Sequence, residues 1–346
     1  MRAPRRAVVG ASVPNILGVL GFLGVALLGA ASPAVAGDGD PISPPPKPPT
    51  RQATSDNGSI SAGVQLDTRH NGSGRSVPVS AVDRNWTPPL CWSQPKYDAE
   101  QYKDWALGPE NVGIGPNAAQ IAETVKKRTD FHEDAKGAWW FRTYDVDQMT
   151  SGSTTPGRVA ACTSIPGQQW VGAVAPKPML ALSPQVLSGL AYKALLLPTP
   201  TVRLSPAADN QIVNVPTFAS FTGALPDRVW VTASFDALGL TIAATTVAVP
   251  SALRIDAGTP YAEPQTCEYD LTPAAGGGYQ VDSSKDACNV TYRKAGPYTL
   301  HAEITWKVTW TASVNPNGPV AEPGLPDGLS GNDVAVVAKE VQTVVR

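Results

Sequence analysis

The sequence predicts a mainly β protein, a small N-terminal α+β domain followed by a β-sandwich, and three observations predict it. From Pro198 onward, short segments rich in strand formers ("PTVRLSP", "NQIVNVPTF", "DRVWVTASFDA", "GLTIAATTVAVP", "ALRID") recur between Pro, Gly, Asn and Asp. That spacing belongs to an all-β sandwich. From Tyr298 to Trp310 apolar and polar residues alternate without a break, and a period of two gives one face that packs and one that meets water. Between Pro89 and Leu197, by contrast, helical and strand-like segments are interleaved.

The chain begins with a pattern that reads as an export signal over residues 1–36. Arg2, Arg5 and Arg6 precede an apolar run from Val13 to Ala30, and Ala34 and Ala36 stand at the −3 and −1 positions before Gly37. A charged start, an apolar middle and a small-residue cleavage site are the parts of a signal peptide. The competing reading, an uncleaved anchor, is disfavoured by Pro14, the glycines of the run and the cleavage site. No later segment is long and apolar enough to span a bilayer. Removal of the leader takes the formal net charge from −2 to −5. A mildly acidic chain offers no electrostatic footprint for nucleic acid, and no Lys/Arg cluster points to an anionic membrane surface.

Residues 37–88 read as a disordered Pro/Ser/Gly-rich linker. "PISPPPKPPT" favours extended polyproline conformation, and the remainder has too few large apolar residues to offset chain entropy. Order is expected from residue 89, with an α+β domain over 89–197. Asp98 is placed to cap a helix, with Gln101 completing a capping box, and Tyr102 and Trp105 then share a face. A second helix is expected from Asn117 to about Thr129. Ser183 and Pro184 open a third. "GAWWFRTYDV", "GRVAACTS" and "QQWVGAV" are expected as strands. The sandwich then occupies 198–346, with "VAVVAKEVQTVVR" as its last strand and a terminal helix as the alternative.

The chain has four cysteines. In an exported protein they are expected as disulfides, and four thiols allow three pairings. Spacing favours Cys91 with Cys162 and Cys267 with Cys288, one pair within each expected domain. Metal binding would need close pairs such as Cys-x-x-Cys, and the sequence has none.

Few catalytic patterns are present. No Gly-x-Ser-x-Gly elbow, His-Glu-x-x-His helix, phosphate-binding loop or dinucleotide fingerprint occurs, so no metal, nucleotide or other cofactor is called for. Of three histidines, His70 falls in the expected linker, His301 on the wet face of a strand and His132 at a solvated helix end. Asp145 and Asp147 read as a turn or surface pair before they read as a weak calcium site. Paired carboxylates for glycoside hydrolysis can lie far apart in a chain, which keeps a hydrolase acting on envelope polysaccharide as the alternative function. Aromatic residues are the stronger lead. Trp139 and Trp140 are consecutive, so on a strand they face opposite sides and one is free to meet solvent. Trp92 and Trp170 join them if Cys91 and Cys162 are bridged. Flat aromatic surfaces suit sugar rings and protein hot spots.

The segment "CNVTYRKAGPYTLHAEITW" resembles the closing strands of polycystic-kidney-disease (PKD) type domains. In those, His-Thr-Tyr and then Gly-x-Tyr-Thr-Val lead into a long alternating strand. Asn289, Val290, Thr291 and Tyr292 match the first part, and Gly296, Tyr298, Thr299 and Leu300 the second. "LRIDAGTPY", with Gly258, stands where that family has its Trp-x-Phe-Gly-Asp-Gly turn. The resemblance covers about residues 200–346 and implies a PKD/Ig-like sandwich, a module that serves mostly as an extracellular spacer or an adhesion or carbohydrate-proximal unit. "CWSQPKYDAEQY" and "KGAWW" extend it to a group of secreted actinobacterial proteins. The function expected from all this is non-enzymatic surface binding or assembly at the cell envelope, with an envelope glycan or surface protein as partner and Trp139 and Trp140 as its contact residues.

Overall fold

The alternating segment that ends at Trp310 is the spine of the molecule. In the computed structural model, which describes residues 63–152, 154–282 and 288–341, it is one strand of 16 residues. From Leu300 its even-numbered side chains are buried through Trp310, while His301, Lys307 and Thr309 on the other face are exposed. The expected signal peptide and the first part of the expected linker lie outside the described residues. No helix among the described residues is long and apolar enough to cross a membrane.

Residues 63–88 depart from the linker reading. Three short strands form there: β1 (Gln65–Asp67), β2 (Ser76–Pro78) and β3 (Ser80–Ala81). Each is hydrogen-bonded to a strand from much later in the chain, and those partners supply the order that composition alone did not announce. We call this segment the strap.

A lobe follows. Strands β4 (Cys91–Tyr97), β5 (Gly137–Tyr144) and β6 (Gln168–Gly172) form an antiparallel sheet in the order β4-β5-β6. Helix α1 (Ala99–Leu107) starts at the expected capping box, with the Gln101 N–H donating to Asp98 Oδ1 at 2.8 Å and the Asp98 N–H to Gln101 Oε1 at 3.1 Å. After the single turn α2 (Pro109–Val112) comes α3 (Ala118–Arg128), as its pattern predicted. Asp145 caps the short α4 (Val146–Thr150). "GRVAACTS" is corrected from strand to helix: α5 spans Pro156–Thr163. Proline at the first helical position and two consecutive alanines outweigh the β-branched Val159. Cys91 and Cys162 are bridged, as are Cys267 and Cys288. The first bridge is buried, beside Leu90.

Helix α6 (Pro184–Lys193), capped by Ser183, returns the chain to the main body. Strands β7 (Leu196–Pro198), β8 (Val202–Ser205), β9 (Gln211–Ile212), β10 (Pro216–Phe221) and β11 (Val229–Ala237) follow. Then come β12 (Leu240–Asp256), β13 (Thr266–Pro273), β14 (Tyr279–Val281), β15 (Val290–Thr291), the spine β16 (Gly296–Thr311) and β17 (Gly328–Lys339). "GLTIAATTVAVP" and "ALRID" are therefore one strand. Its register against β16 shifts between Pro250 and Ala252, because a bulge absorbs the proline that would otherwise end the ladder. The last strand begins at Gly328, ahead of the expected start at Val334.

Among the described residues the principal sheet runs β1-β11-β12-β16-β17-β3, with β13 and β14 joined to the far half of β12 and β9 to the end of β17. A second sheet, β15-β10-β8, shares its core: Leu204, Ala219, Val290 and Tyr292 are buried with Ile255, Tyr269 and Leu300. Strand makes up 42% of the described residues and helix 18%, so the mainly β class and its sandwich-like packing hold. The two segments of the PKD resemblance meet in this body. A Cβ on Gly258 (φ 67°) would lie 1.8 Å from the Thr299 carbonyl oxygen, so no other residue fits there.

The core also crosses the expected boundary at residues 197/198. Trp92, Leu182, Leu187, Leu190, Leu195 and Leu197 are buried with the sandwich strands, and the Thr246 hydroxyl donates to the Ser188 carbonyl of α6 at 3.0 Å. The lobe keeps a separate aromatic core built on Tyr97, Tyr102, Phe131 and Trp139. Polar bonds tie it to the body. Lys193 Nζ lies 2.7 Å from both carboxylate oxygens of Asp145, the Gln148 amide donates to the Pro89 carbonyl at 2.9 Å, and Arg158 donates to that of Pro88 at 2.6 Å.

Candidate ligand-binding site

Trp139 and Trp140 lie on β5 with their side chains on opposite sides, but neither meets solvent: they are 8% and 6% exposed. The expectation of a free indole is corrected. Tyr102 of α1 stacks on Trp139 at 3.8 Å and 18°. Trp139 pairs with Trp170 across β6, and the half-buried Trp170 carries His132 in a parallel stack at 4.8 Å. Trp92 leaves this group for the main core, its indole N–H donating to Gln94 Oε1 at 2.7 Å. Trp306 and Trp310 are sandwich core, as their alternation implied. Asp145 and Asp147 are both engaged by Lys193, at 2.7 and 3.4 Å.

An aromatic group that does reach the surface is assembled from residues far apart in the chain. Trp230 sits near the start of β11, where the strap crosses it. The Trp230 N–H donates to the His70 carbonyl at 3.1 Å, and the His70 ring lies on the indole at 4.0 Å and 14°. Arg228 places its guanidinium over the same indole at 5.2 Å and donates to Asn317 Oδ1 at 2.6 Å. Such stacking of arginine and aromatic rings adds attraction beyond area burial.

The local sequence explains why "LDTRHNG" holds His70 there. Arg69 grips Asp67 with two bonds, Nε to Oδ1 at 2.9 Å and Nη2 to Oδ2 at 2.6 Å. Those bonds hold the Asp67 carboxyl down at about 2, well below the usual carboxylate range. The Asn71 amide donates to the Ala194 carbonyl and accepts from the Leu196 N–H, each at 2.9 Å. Gly72 comes next because a Cβ would meet Pro198 Cδ and Ser76 Oγ at 2.7 Å.

Two open clefts flank this stack. One, of about 510 Å³, is bordered by Asp67, Arg69, Val314 and Pro316. The other, of about 730 Å³, is bordered by Arg75, Thr199, Thr222 and Arg228. His70 and Trp230 line both. Their size falls in the range of small-ligand sites. The chemistry they offer is a flat aromatic face with guanidinium and hydroxyl groups around it. Asp67 is the one carboxylate among the lining residues. Glycoside hydrolysis needs two, one of them kept protonated by a raised pKa, and Asp67 is shifted the opposite way. No protein-family model, no curated protein and no solved structure matches the chain.

Proposed function

We propose that this is an exported, non-enzymatic protein of the cell envelope that binds or assembles at a surface, and that the His70–Trp230–Arg228 stack is its contact face. The observation that carries the reading is an aromatic and cationic ridge between two clefts whose single carboxylate is already engaged by arginine. Export is supported by the charged, apolar and small-residue succession of residues 1–36, and by two disulfides, which persist in oxidising compartments. The PKD-type resemblance of residues 200–346 supports the same reading, because such modules present binding faces outside the cell.

The test is co-sedimentation of the oxidised protein with isolated cell envelopes, intact and protease-treated, beside a His70→Ala/Trp230→Ala variant. We expect the wild type to sediment with envelopes and the variant to remain in the supernatant. Survival of binding after protease treatment identifies a glycan, and loss identifies a protein partner. A wild type that stays in the supernatant overturns the reading, and release of reducing sugar from the envelopes would establish a hydrolase instead.

A further inference from the structure

We infer that the larger cleft binds the anionic groups of an acidic polysaccharide, a carboxylate or phosphate being seated between strap and sheet by Arg75 and Arg228. The inference rests on the binding role proposed above and names its ligand class.

Charge is the first argument. The chain as a whole is acidic, with a formal net charge of −2. The lining of this cleft nevertheless contains two arginines and a histidine and no carboxylate. The nearest acid in sequence, Asp227, is turned aside, accepting the Gly278 N–H at 2.7 Å. A cleft of one sign in a protein of the other focuses potential on a ligand of matching charge.

Availability is the second. Arg69 is spent on Asp67, and Arg158 and Arg142 on neighbouring groups within the lobe and at its seam with the body. Arg75 is exposed, and its guanidinium has no hydrogen bond or ion pair among the described residues. Its backbone is fixed all the same. The Thr199 N–H and hydroxyl both donate to the Arg75 carbonyl, at 3.0 and 3.2 Å. A guanidinium on an anchored backbone is a planar two-pronged donor for carboxylate or phosphate. Arg228 supplies a second from the position just before β11, already oriented by Trp230 and Asn317.

Shape is the third. A volume of about 730 Å³ accommodates more than one sugar ring. His70 offers a flat exposed ring, and Ser73 and Thr201 place hydroxyls along the wall for ring oxygens and hydroxyls. Nucleic acid fits less well, since its recognition needs a basic stripe that follows the backbone, and here Arg75 and Arg228 face a single cleft.

The experiment uses the full oxidised chain. Binding is measured by calorimetry to an oligogalacturonate (carboxylate), a poly(glycerol phosphate) oligomer (phosphodiester), a neutral dextran oligomer and an oligodeoxythymidine. We expect one or both anionic oligomers to bind, the tighter of the two identifying the source of the anion, and dextran to give no heat. Arg75→Gln should weaken binding at least tenfold without moving the thermal midpoint, because its side chain holds nothing in the fold. Arg228→Gln should weaken it by a similar factor. Dextran binding as tightly as the anionic oligomers, Arg75→Gln binding like the wild type, or oligodeoxythymidine binding tightest would each overturn the inference. If envelopes still sediment the protein while no anionic oligomer binds, the ligand class is wrong and the surface-binding role stands. If envelopes fail as well, both fall.

Discussion

Asp145 shows how a single side chain can hold two parts of this fold in register. It is 8% exposed, and burial alone would raise its carboxyl. Hydrogen bonds from Lys193 and Gln148, together with the Lys193 charge, outweigh that and leave it below its ordinary value. A depressed carboxylate contributes stability that is fully present above the unfolded value, about 3.9, and is lost as pH falls through the folded one. Asp145→Asn should therefore cost about 1–3 kcal/mol at pH 7, less than for a fully buried pair because Lys193 remains 32% exposed. The difference from wild type should shrink as pH falls below the unfolded value and through the lowered folded one, because the wild-type carboxylate then takes up a proton. Urea midpoints at each pH check this, and a difference that stays constant to pH 2 would remove charge as its source. The candidate site was not legible at this scale. His70 and Trp230 are far apart in the chain, and neither has a neighbour that announces the other. Trp139 and Trp140 had such a signal, being adjacent on a strand, but adjacency says nothing about what covers each face, and α1 covers one of them.

Between residue and molecule, the elements divide by how much of their cause is local. The spine β16 was legible because its burial follows a period of two that the sequence writes out in full. The helices at Asp98 and Ser183 were legible because caps are local chemistry. The disulfide pairing followed from cysteine spacing. The strap was not, since strands of two or three residues have no period to read, and their stability comes from partners elsewhere. Those partners explain what the strap does. β1 pairs with β11 at one edge of the principal sheet, and β3 pairs with β17 at the other. One segment thus covers part of both edges, where unpaired N–H and C=O groups would otherwise recruit another chain. A protein beginning at Asp83 should expose β11 and β17 and associate through them. Light scattering after size exclusion should show dimers or larger species, with a lowered thermal midpoint. A monomer with the wild-type midpoint would mean that the strap merely lies on edges protected by other means.

At the scale of the whole molecule, the change of texture near Pro198 marks a real shift toward strand, but the core places its seam elsewhere. The strap enters the sandwich body, the chain leaves it after Leu90 for the lobe, and α6 brings it back. The lobe is in effect an excursion from the body, entered and left through neighbouring backbone: the Ser93 N–H donates to the Leu180 carbonyl at 2.8 Å, and the Leu182 N–H to that of Ser93 at 2.7 Å. Its own aromatic core is small, so the Cys91–Cys162 bridge should matter more to the lobe than to the body. The bridge joins residues 71 apart, for which chain-entropy arguments give about 4 kcal/mol. Replacing both cysteines by alanine should split calorimetric unfolding into two transitions. The earlier one would belong to the lobe and be reported by Trp139 and Trp170 fluorescence, and the later one, near the wild-type temperature, to the body. Limited proteolysis of that variant should cut within 91–181 and leave 63–88 bound to 182–341. A stable fragment starting at 197–205 would instead restore the boundary that composition suggested. Because the ridge of His70, Arg228 and Trp230 lies wholly in the body, the cysteine variant should still sediment with envelopes, and loss of that binding would place the contact face on the lobe.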